Sequence, residues 1–318
     1  MKIILFWSNL LSEADISVEK WQNSPIKLSP FHYLSLLSHV KFGNEVDLYT
    51  YNKTEETNMP KGITVKDAND IFPAEFAHNS LLRGHSIAHI SDAIRLKVAS
   101  NENGIPLDLD AVVLNEFPKD KNSGWFATAP AKITGGFAFK WGKNHPPLPV
   151  HDKSWDGKGV TMFPIKINDE MSKHTHNLAN KIFRTLAYQP SKDSKSWNYV
   201  MWALRDIMNI DKNFIIHKPV AFCPITGWLS AGKCYSLESP TRLNGKTAVF
   251  GYTFPSINTI LEKSITVQHF FESVYSFTKK PQLKNTFWLD VKEGSLVSNE
   301  ANLVAGNNWR QILHEYSN

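Results

Sequence analysis

Two aspartates separated by one leucine, Asp108 and Asp110, are the residues of this chain whose type and spacing best suit chemistry. In an extended strand alternate side chains share a face, so both carboxylates are expected to point one way. The apolar residues around them would then point into a core: Ile105, Leu107, Leu109 and Ala111. Two carboxylates on one face suit Mg²⁺ or Mn²⁺, with positions left for water and nucleotide phosphates. Aspartates of this spacing also occur at strand ends, where they are solvated or cap a turn.

A helix is predicted just before this strand, because apolar residues recur at helical spacing from Ile87 to Val98. The same spacing puts Asp92 and Arg95 together on a neighbouring face. Asn103 and Gly104 are expected to end the helix, since both accept the left-handed conformation of helix C-termini. The helix therefore delivers Asp92 and Arg95 as a pair, although a solvated surface couple would show the same spacing.

The segment from Ile90 to Pro118 resembles glycosyltransferases with the DXD sugar-binding motif. That family includes globotriaosylceramide synthase, initiating α-1,6-mannosyltransferases and bacterial capsular or lipopolysaccharide transferases. Matches to the two parts of its pattern are Ser91, Asp92 and Arg95, then Gly104, Ile105, Leu107, Asp108, Leu109 and Asp110. Departures from it are Leu96 for an aromatic residue, Asn103 for a glycine and Pro106 for a tyrosine.

The resemblance extends along most of the chain in motif order. Segments that resemble family motifs are IILFWSNLLS, NEVDLYTY, GGFAFKWGKNHPPL, SWNYVMWAL, VAFCPI and ITVQHFFES. Residues that depart from those motifs are Asn44, Gly135, Gly136, Ser196 and Trp197. The last of the segments places His269 at the histidine of the family.

The resemblance implies an α/β fold with a GT-A-like, Rossmann-type nucleotide-binding mixed sheet flanked by helices. It also implies transfer of a hexose from a nucleoside-diphosphate sugar, with a UDP-sugar favoured, to a glycan or glycolipid hydroxyl with retention of configuration. Asp108 and Asp110 would hold Mn²⁺ or Mg²⁺ against the leaving diphosphate. Asp92 would face the ribose or base, and Arg95 would pair with a carboxylate or phosphate. His269 would approach the diphosphate or complete the metal shell.

Three further candidates have a structural alternative. His269 lies in an apolar, aromatic strand, where histidines are often plain core residues. Phe6 and Trp7 end the first predicted strand, and ligands of open α/β sheets bind at the carboxyl ends of strands. They are predicted as a stacking wall for the nucleotide base, with simple core aromatics as the alternative.

The chain has 318 residues, of which 42% are hydrophobic, enough for one enzyme-sized unit. We expect a single glycosyltransferase domain, with a nucleotide-sugar-binding part over 1–115 and an acceptor-side part over 116–318. Helices are predicted at Leu34–Val40, Ile87–Ala99, Glu170–Tyr188, Tyr199–Met208 and Trp309–Tyr316. A long loop is predicted at Trp141–Gly159, which carries the secondary candidates His145, Asp152 and Asp156.

The net charge of +5 is modest and the lysines are scattered, which is not the pattern of a nucleic-acid-binding protein. It suits an anionic sugar nucleotide, and peripheral association with a membrane that holds a lipid-linked glycan acceptor. Cys223 and Cys234 form neither a metal spacing nor a disulfide framework, and no apolar stretch could span a bilayer. The N-terminal residues read as a first strand, not a signal peptide. We expect a cytoplasmic protein, with the inner face of the membrane as a second expectation.

Two other functions remain open from the residues alone. The segment LDLDAVV also fits the nucleophile motif of haloacid-dehalogenase-like phosphatases, with Asp108 attacking phosphorus and Asp110 as acid and base. About a third of the chain precedes that segment, whereas the nucleophile strand of such phosphatases lies near the start of the domain. The third hypothesis is a non-catalytic module that binds a sugar nucleotide or glycan.

Overall fold

The computed structural model describes the following residues, and the account below concerns them alone: 1–8, 17–53, 59–119, 124–130, 159–190, 215–217, 219–222, 224, 248–249, 252–253, 256–269, 286–289 and 291–317.

A parallel sheet forms the centre of the first part of the chain. Its strands are β1 (Lys2–Phe6), β2 (Glu45–Thr50), β3 (Ile63–Asp67) and β4 (Ile105–Pro106). They stand in the order β3-β2-β1-β4, with all neighbours parallel. Ile3, Ile4 and Leu5 of β1 are fully buried, as expected for a strand covered on both faces. The order reverses between β1 and β4, because the chain runs outward to β3 and then returns to the other side of β1.

Helices flank this sheet: α1 (Val18–Asn23), α2 (Pro30–Lys41), α3 (Ala74–Leu82) and α4 (Ile87–Glu102), with a short 3₁₀ helix at Ala68–Asp70. The predicted helices in α2 and α4 are confirmed. Ile90 and Ile94 of α4 are fully buried, on the face that the apolar spacing predicts. The fold is thus α/β, with a parallel sheet flanked by helices, consistent with a GT-A-like, Rossmann-type arrangement.

The connection from α4 to β4 is tight. Asn103 ends the helix with a left-handed φ of 51°, which confirms the predicted stop. Gly104 follows, and a Cβ atom there would overlap with the side chain of Ile4 on β1. Only a glycine therefore lets the chain leave the helix and join the sheet at this spacing.

The prediction of one continuous strand through the aspartate pair is wrong. The amide of Leu107 still donates to Ile4 at 3.1 Å, but a turn follows in which the amide of Ala111 donates to the Asp108 carbonyl at 3.2 Å. The chain then enters β5 (Ala111–Val113), which pairs with β11 (Thr266–Gln268) in an antiparallel ladder. The strand breaks because the chain changes its pairing partner between the two sheets.

The predicted alternation of burial survives the break. Leu107 and Leu109 are at most 5% exposed, whereas the aspartates beside them are partly exposed. Pro106, which lacks an amide donor, lies in the last strand of the sheet order, where such a residue is tolerated.

The later part of the chain supplies further elements. Its strands are β6 (Trp125–Pro130), β7 (Gly159–Lys166), β8 (Ile215–Ile216), β9 (Ala248–Val249) and β10 (Tyr252–Thr253). Its helices are α5 (Asp169–Tyr188), α6 (Pro219–Phe222), α7 (Ile257–Lys263), α8 (Leu296–Ala305) and α9 (Trp309–Ser317). The strands β7, β6 and β8 pair in that order, and α5 packs against α3 and α4.

Helices α5 and α9 confirm the predictions for Glu170–Tyr188 and Trp309–Tyr316. The predicted helix Tyr199–Met208 lies outside the described residues. So does the predicted loop, apart from Gly159 at the start of β7, and with it His145, Asp152 and Asp156.

Candidate functional site

Arg95 is the centre of the candidate site, because its guanidinium contacts two carboxylates. Its Nη2 lies 2.6 Å from Oδ1 of Asp92, one helical turn earlier on α4. Its Nη1 lies 2.7 Å from Oδ1 of Asp108, in the turn after β4. The arginine side chain is only 2% exposed, whereas that of Asp108 is 32% exposed. The helix therefore holds one aspartate of the pair through a buried arginine, while that aspartate keeps access to solvent.

Burial governs the electrostatics of this trio. It raises the pKa of Asp92 to about 7, with Arg95 opposing the shift and Asp108 adding to it. For Arg95, burial lowers the pKa, but Asp108 and Asp92 more than offset this, so its pKa is raised. The guanidinium stays charged while both carboxylates compete for it. With both ionised, the trio carries one surplus negative charge, which favours a cation nearby.

Asp110 and His269 are neighbours across the β5–β11 ladder. The main-chain amide of His269 donates to the carbonyl of Asp110 at 3.1 Å. The Asp110 side chain is partly exposed, but the His269 side chain is fully buried, with Nε2 lying 2.7 Å from Oε2 of Glu300 on α8. Burial raises the pKa of Glu300, and His269 opposes that shift. The ring of Phe31 meets the imidazole edge-on at 5.0 Å.

Two serines of α2 hold β5 on the side opposite β11. Ser35 donates its hydroxyl to the carbonyl of Ala111 at 2.7 Å, and Ser38 accepts from the amide of Val113 at 2.9 Å. Both serines are fully buried. Their hydroxyls replace the strand that would otherwise pair there, which anchors the chain directly after the aspartate pair.

Phe6 and Trp7 differ in their surroundings. Phe6 is 5% exposed and packs edge-on against Tyr51, so it belongs to the core. Trp7 is partly exposed, with its indole N–H donating to the carbonyl of Lys27 at 3.0 Å. Its ring lies 4.2 Å from that of His32. Trp7 is therefore a fixed aromatic ring at the surface, at the end of β1.

The sheet order sets the carboxyl ends of β1 and β4 side by side. Ligands of open α/β sheets bind outside the carboxyl ends of the strands, where the strand order reverses. Here that point lies between β1 and β4. Trp7 follows β1 and Asp108 follows β4, and α4 brings Arg95 into contact with Asp108. The candidate site thus occupies the position that the fold favours for a ligand.

In the structure, Arg95 contacts both Asp92 and Asp108. His269 lies beside Asp110 because its main-chain amide donates to the Asp110 carbonyl. Asp108 and Asp110 are both partly exposed. Among the described residues, no three side chains of the His, Cys, Asp or Glu type come together as a metal centre. The imidazole of His269 faces Glu300.

Sequence reasoning missed Glu300 and the two serines of α2. A buried Ser-x-x-Ser pair on an apolar helical face was the available signal for the serines. Nothing local marks Glu300, because its partner His269 lies on a different element.

No family model matches this chain, and no curated protein matches it in sequence. Among solved structures it matches a chain named PaToxG glycosyltransferase, with a TM-score of 0.30 and 13% identity. The match covers 67% of this chain and 80% of that one. Within the described residues, no helix has the length and apolar character needed to cross a membrane.

Proposed function

We propose that this chain is a metal-dependent glycosyltransferase, which moves a hexose from a nucleoside-diphosphate sugar to a glycan or glycolipid hydroxyl. A UDP-sugar donor and retention of configuration are part of the proposal, as the resemblance to DXD glycosyltransferases implies. The observation that carries it is the contact of Arg95 with both Asp92 and Asp108. That contact unites the two halves of the motif at the strand ends where a nucleotide would bind.

Asp108 and Asp110 are the residues that would hold the divalent ion. Nη1 of Arg95 lies 2.7 Å from Oδ1 of Asp108, so the arginine would hold this carboxylate in place for the ion. When bound, the ion would supply Lewis-acid stabilisation of the charge that develops on the departing diphosphate. The role of Arg95 is to fix the carboxylate before substrate arrives, which lowers the cost of reorganisation during reaction.

The remaining residues would bind the donor. Asp92 is assigned to the ribose or base, and its neighbour Arg95 keeps its carboxylate in place. Trp7 would stack on the base, because the hydrogen bond from its indole N–H to the carbonyl of Lys27 holds the ring in a fixed position. Phe6, which lies in the core, would support the aromatic stacking wall for the base. His269 is assigned to the diphosphate or metal side of the site through its position beside Asp110.

The wider assignments follow from the same proposal. The described strands and helices of residues 1–115 form the nucleotide-sugar side, and residues 116–318 would shape the acceptor side of one domain. The acceptor is a glycan or lipid-linked glycan. We place the reaction in the cytoplasm, with peripheral association at the inner membrane face.

Thermal unfolding with nucleotide tests the proposal. Wild type is measured with UDP or GDP, each with and without Mn²⁺, beside Asp110→Asn and the control Asp70→Asn, an exposed aspartate of the 3₁₀ helix. A ligand at a hundred times its dissociation constant adds about 2.7 kcal/mol. We expect a Mn²⁺-dependent shift for one nucleotide, kept in Asp70→Asn and lost in Asp110→Asn.

Turnover then separates the three functions. The same proteins are incubated with the matching nucleotide-hexoses, and release of nucleoside diphosphate is followed with and without acceptor. Release that needs Mn²⁺ and Asp110 supports the transferase. Hydrolysis of a simple phosphate ester without any nucleotide response would favour the phosphatase, and nucleotide binding without turnover would favour the non-catalytic module.

A further inference from the structure

Two exposed helix faces, one on α3 and one on α5, lie side by side. The helices pack through their buried sides, where the ring of Phe72, just before α3, stacks on that of Phe183 at 4.6 Å. The hydroxyl of Ser80 on α3 also donates to the carbonyl of Leu186 on α5 at 2.8 Å. The exposed residues of this α3–α5 surface are Phe76, Leu82, Arg83, Lys181, Arg184 and Tyr188.

Large apolar side chains project from this surface. Tyr188 is 69% exposed, Leu82 58% and Phe76 38%. The rings of Phe76 and Tyr188 lie 6.3 Å apart at 62°, so they form one aromatic patch across the two helices. Scattered apolar side chains at a protein surface need no explanation, whereas clustered ones indicate an interaction site.

Basic side chains accompany the aromatic patch. Lys181, Arg184 and Tyr188 recur at helical spacing along the exposed face of α5. Arg83 follows Leu82 at the end of α3 and is also exposed. Within the described part of the chain, none of these three cations forms an ion pair. Their charges are therefore available to a partner.

The carboxylates of the two helices leave a positive balance. Glu75 is an exposed carboxylate of α3. On α5 the acidic residues Asp169 and Glu170 stand in the first turn, roughly 28 Å from Tyr188 by helical rise. Over α3, Arg83 and the last two turns of α5, three cations stand against one carboxylate. This balance favours an anionic partner.

The α3–α5 surface belongs to the end of the sheet that carries the candidate site. Tyr51 follows β2, and its hydroxyl donates to the carbonyl of Phe72 at 2.5 Å, directly before α3. After α3 the chain reaches Ser86, which caps α4, and Asp92 lies in the second turn of that helix. Helix α3 therefore connects the carboxyl ends of the strands to the start of the helix that carries Asp92.

A membrane with anionic lipids matches both properties of this surface. Aromatic rings and leucines insert at the boundary between headgroups and acyl chains, while lysines and arginines lie among anionic headgroups. A second copy of this chain matches less well. A two-fold contact sets the same patch against itself, so the cations of the two copies would repel one another.

We propose that the α3–α5 surface docks on an anionic membrane, with Phe76, Leu82 and Tyr188 inserted and the three cations among the headgroups. The inference gives the peripheral association assigned above a specific place on the molecule. It rests on the proposed function for one point, that the membrane presents the lipid-linked acceptor.

Sedimentation of the full chain with vesicles tests the proposal without nucleotide or acceptor. The vesicles contain phosphatidylcholine alone, or phosphatidylcholine and phosphatidylglycerol in a three-to-one ratio. We expect binding to the anionic vesicles only, weakened when salt rises from about 0.1 M to about 0.5 M. Wild type that does not bind anionic vesicles, or that binds both kinds equally, overturns the proposal.

The apolar half of the surface is tested by Leu82→Ser combined with Tyr188→Ser. Both side chains are largely exposed, so the fold should persist, as thermal unfolding would verify. We expect binding to anionic vesicles to weaken at least about 10-fold. Leu289→Ser, at a 75% exposed leucine outside the surface, is the matched control and should bind as wild type. Equal binding by the double variant and wild type refutes the insertion of these side chains.

The basic half is tested by Lys181→Gln combined with Arg184→Gln. Each basic side chain near an anionic surface contributes about fivefold, so binding should weaken by about 25-fold. Lys263→Gln combined with Lys292→Gln removes two positive charges from exposed positions elsewhere and should weaken binding much less. Equal losses in the two pairs would show that binding follows net charge alone, which overturns the assignment to this surface.

A second copy as the occupant would give a different result. Wild type would then sediment as a dimer in analytical ultracentrifugation, Leu82→Ser with Tyr188→Ser would sediment as a monomer, and neither would bind vesicles. That outcome overturns the membrane proposal.

The membrane proposal and the proposed function fail separately. If wild type binds nucleotide with Mn²⁺ but does not bind anionic vesicles, only the docking surface is refuted. If vesicles are bound through this surface but no nucleotide binds, the proposed function falls and the docking surface stands without its lipid-linked acceptor.

Discussion

Nη1 of Arg95 lies 2.7 Å from Oδ1 of Asp108, so a residue of helix α4 holds the first aspartate of the pair from within the protein. The arginine is buried and the aspartate is partly exposed. Because Nη2 of the same guanidinium contacts Asp92, a change at any one of the three alters the other two.

Replacement of Arg95 by methionine should destabilise the protein by about 3–5 kcal/mol, because removing one partner of a buried ion pair leaves a charge without compensation. Urea unfolding measures the loss. Arg83→Met, at the exposed end of α3, is the matched control and should change stability by less than about 0.5 kcal/mol. Equal effects of the two substitutions would contradict the central role of Arg95.

Asp92 should make stability depend on pH. Its pKa is raised to about 7 in the folded protein, mainly by burial, against about 3.9 in an unfolded chain. The folded state therefore binds the proton more tightly, and this contribution is full below about pH 4 and lost as pH rises towards 7. The unfolding free energy of wild type minus that of Asp92→Asn should fall across this range, by at most about 1.4 kcal/mol per pH unit.

Above about pH 8 the same difference should be level, since Asp92 is then ionised in both states. A difference that is level between about pH 5 and 7 and falls only as the pH drops below about 4 would mean that Arg95, not burial, dominates the carboxylate. Unfolding of both proteins at matched ionic strength provides the comparison.

Gly104→Ala should destabilise the protein by about 1–3 kcal/mol, since the new methyl group overlaps with Ile4 and forces a shift of the packed strand. Ile4→Val removes the nearer of the overlapping atoms. The double variant should therefore lose less stability than the sum of the two single losses, because the sites are in contact. Strict additivity in urea unfolding would show that the overlap is relieved elsewhere.

Ser38→Ala should weaken the attachment of β5 to helix α2. Without the hydroxyl, the amide of Val113 loses its acceptor in the protein interior, at a cost of about 1–3 kcal/mol. Native-state hydrogen exchange should show faster exchange at that amide. Ser17→Ala removes an exposed cap of α1 and serves as the control, with Val113 protection unchanged. Unaltered exchange in Ser38→Ala would contradict the anchoring role.

Local patterns in the sequence predict local structure here. The apolar spacing of Ile87 to Val98 predicts α4, and Asn103 predicts its end, because helical period and left-handed caps depend on nearby residues. The resemblance of the motif to DXD glycosyltransferases predicts that Asp92 and Arg95 position the nucleotide, with Arg95 pairing with a carboxylate or phosphate. Neither kind of reasoning predicts that Asp108 is the carboxylate that Arg95 contacts.

Contacts between distant elements account for what the sequence does not predict. The break at the aspartate pair depends on β11, which supplies a new pairing partner far along the chain. Glu300 meets His269 from α8, a helix that packs against α2 and α9. Contacts of this kind leave no periodic pattern in the sequence, because they do not determine which residues stand beside either partner along the chain.

The ladder between β5 and β11 also sets an order of events in synthesis. The first strands, α4 and the arginine clamp can form soon after they leave the ribosome, since their contacts are close in sequence. The strand that follows the aspartate pair waits for β11, and His269 and Glu300 emerge later still. A nascent chain would therefore hold Asp92, Arg95 and Asp108 together while β11, His269 and Glu300 are still being translated.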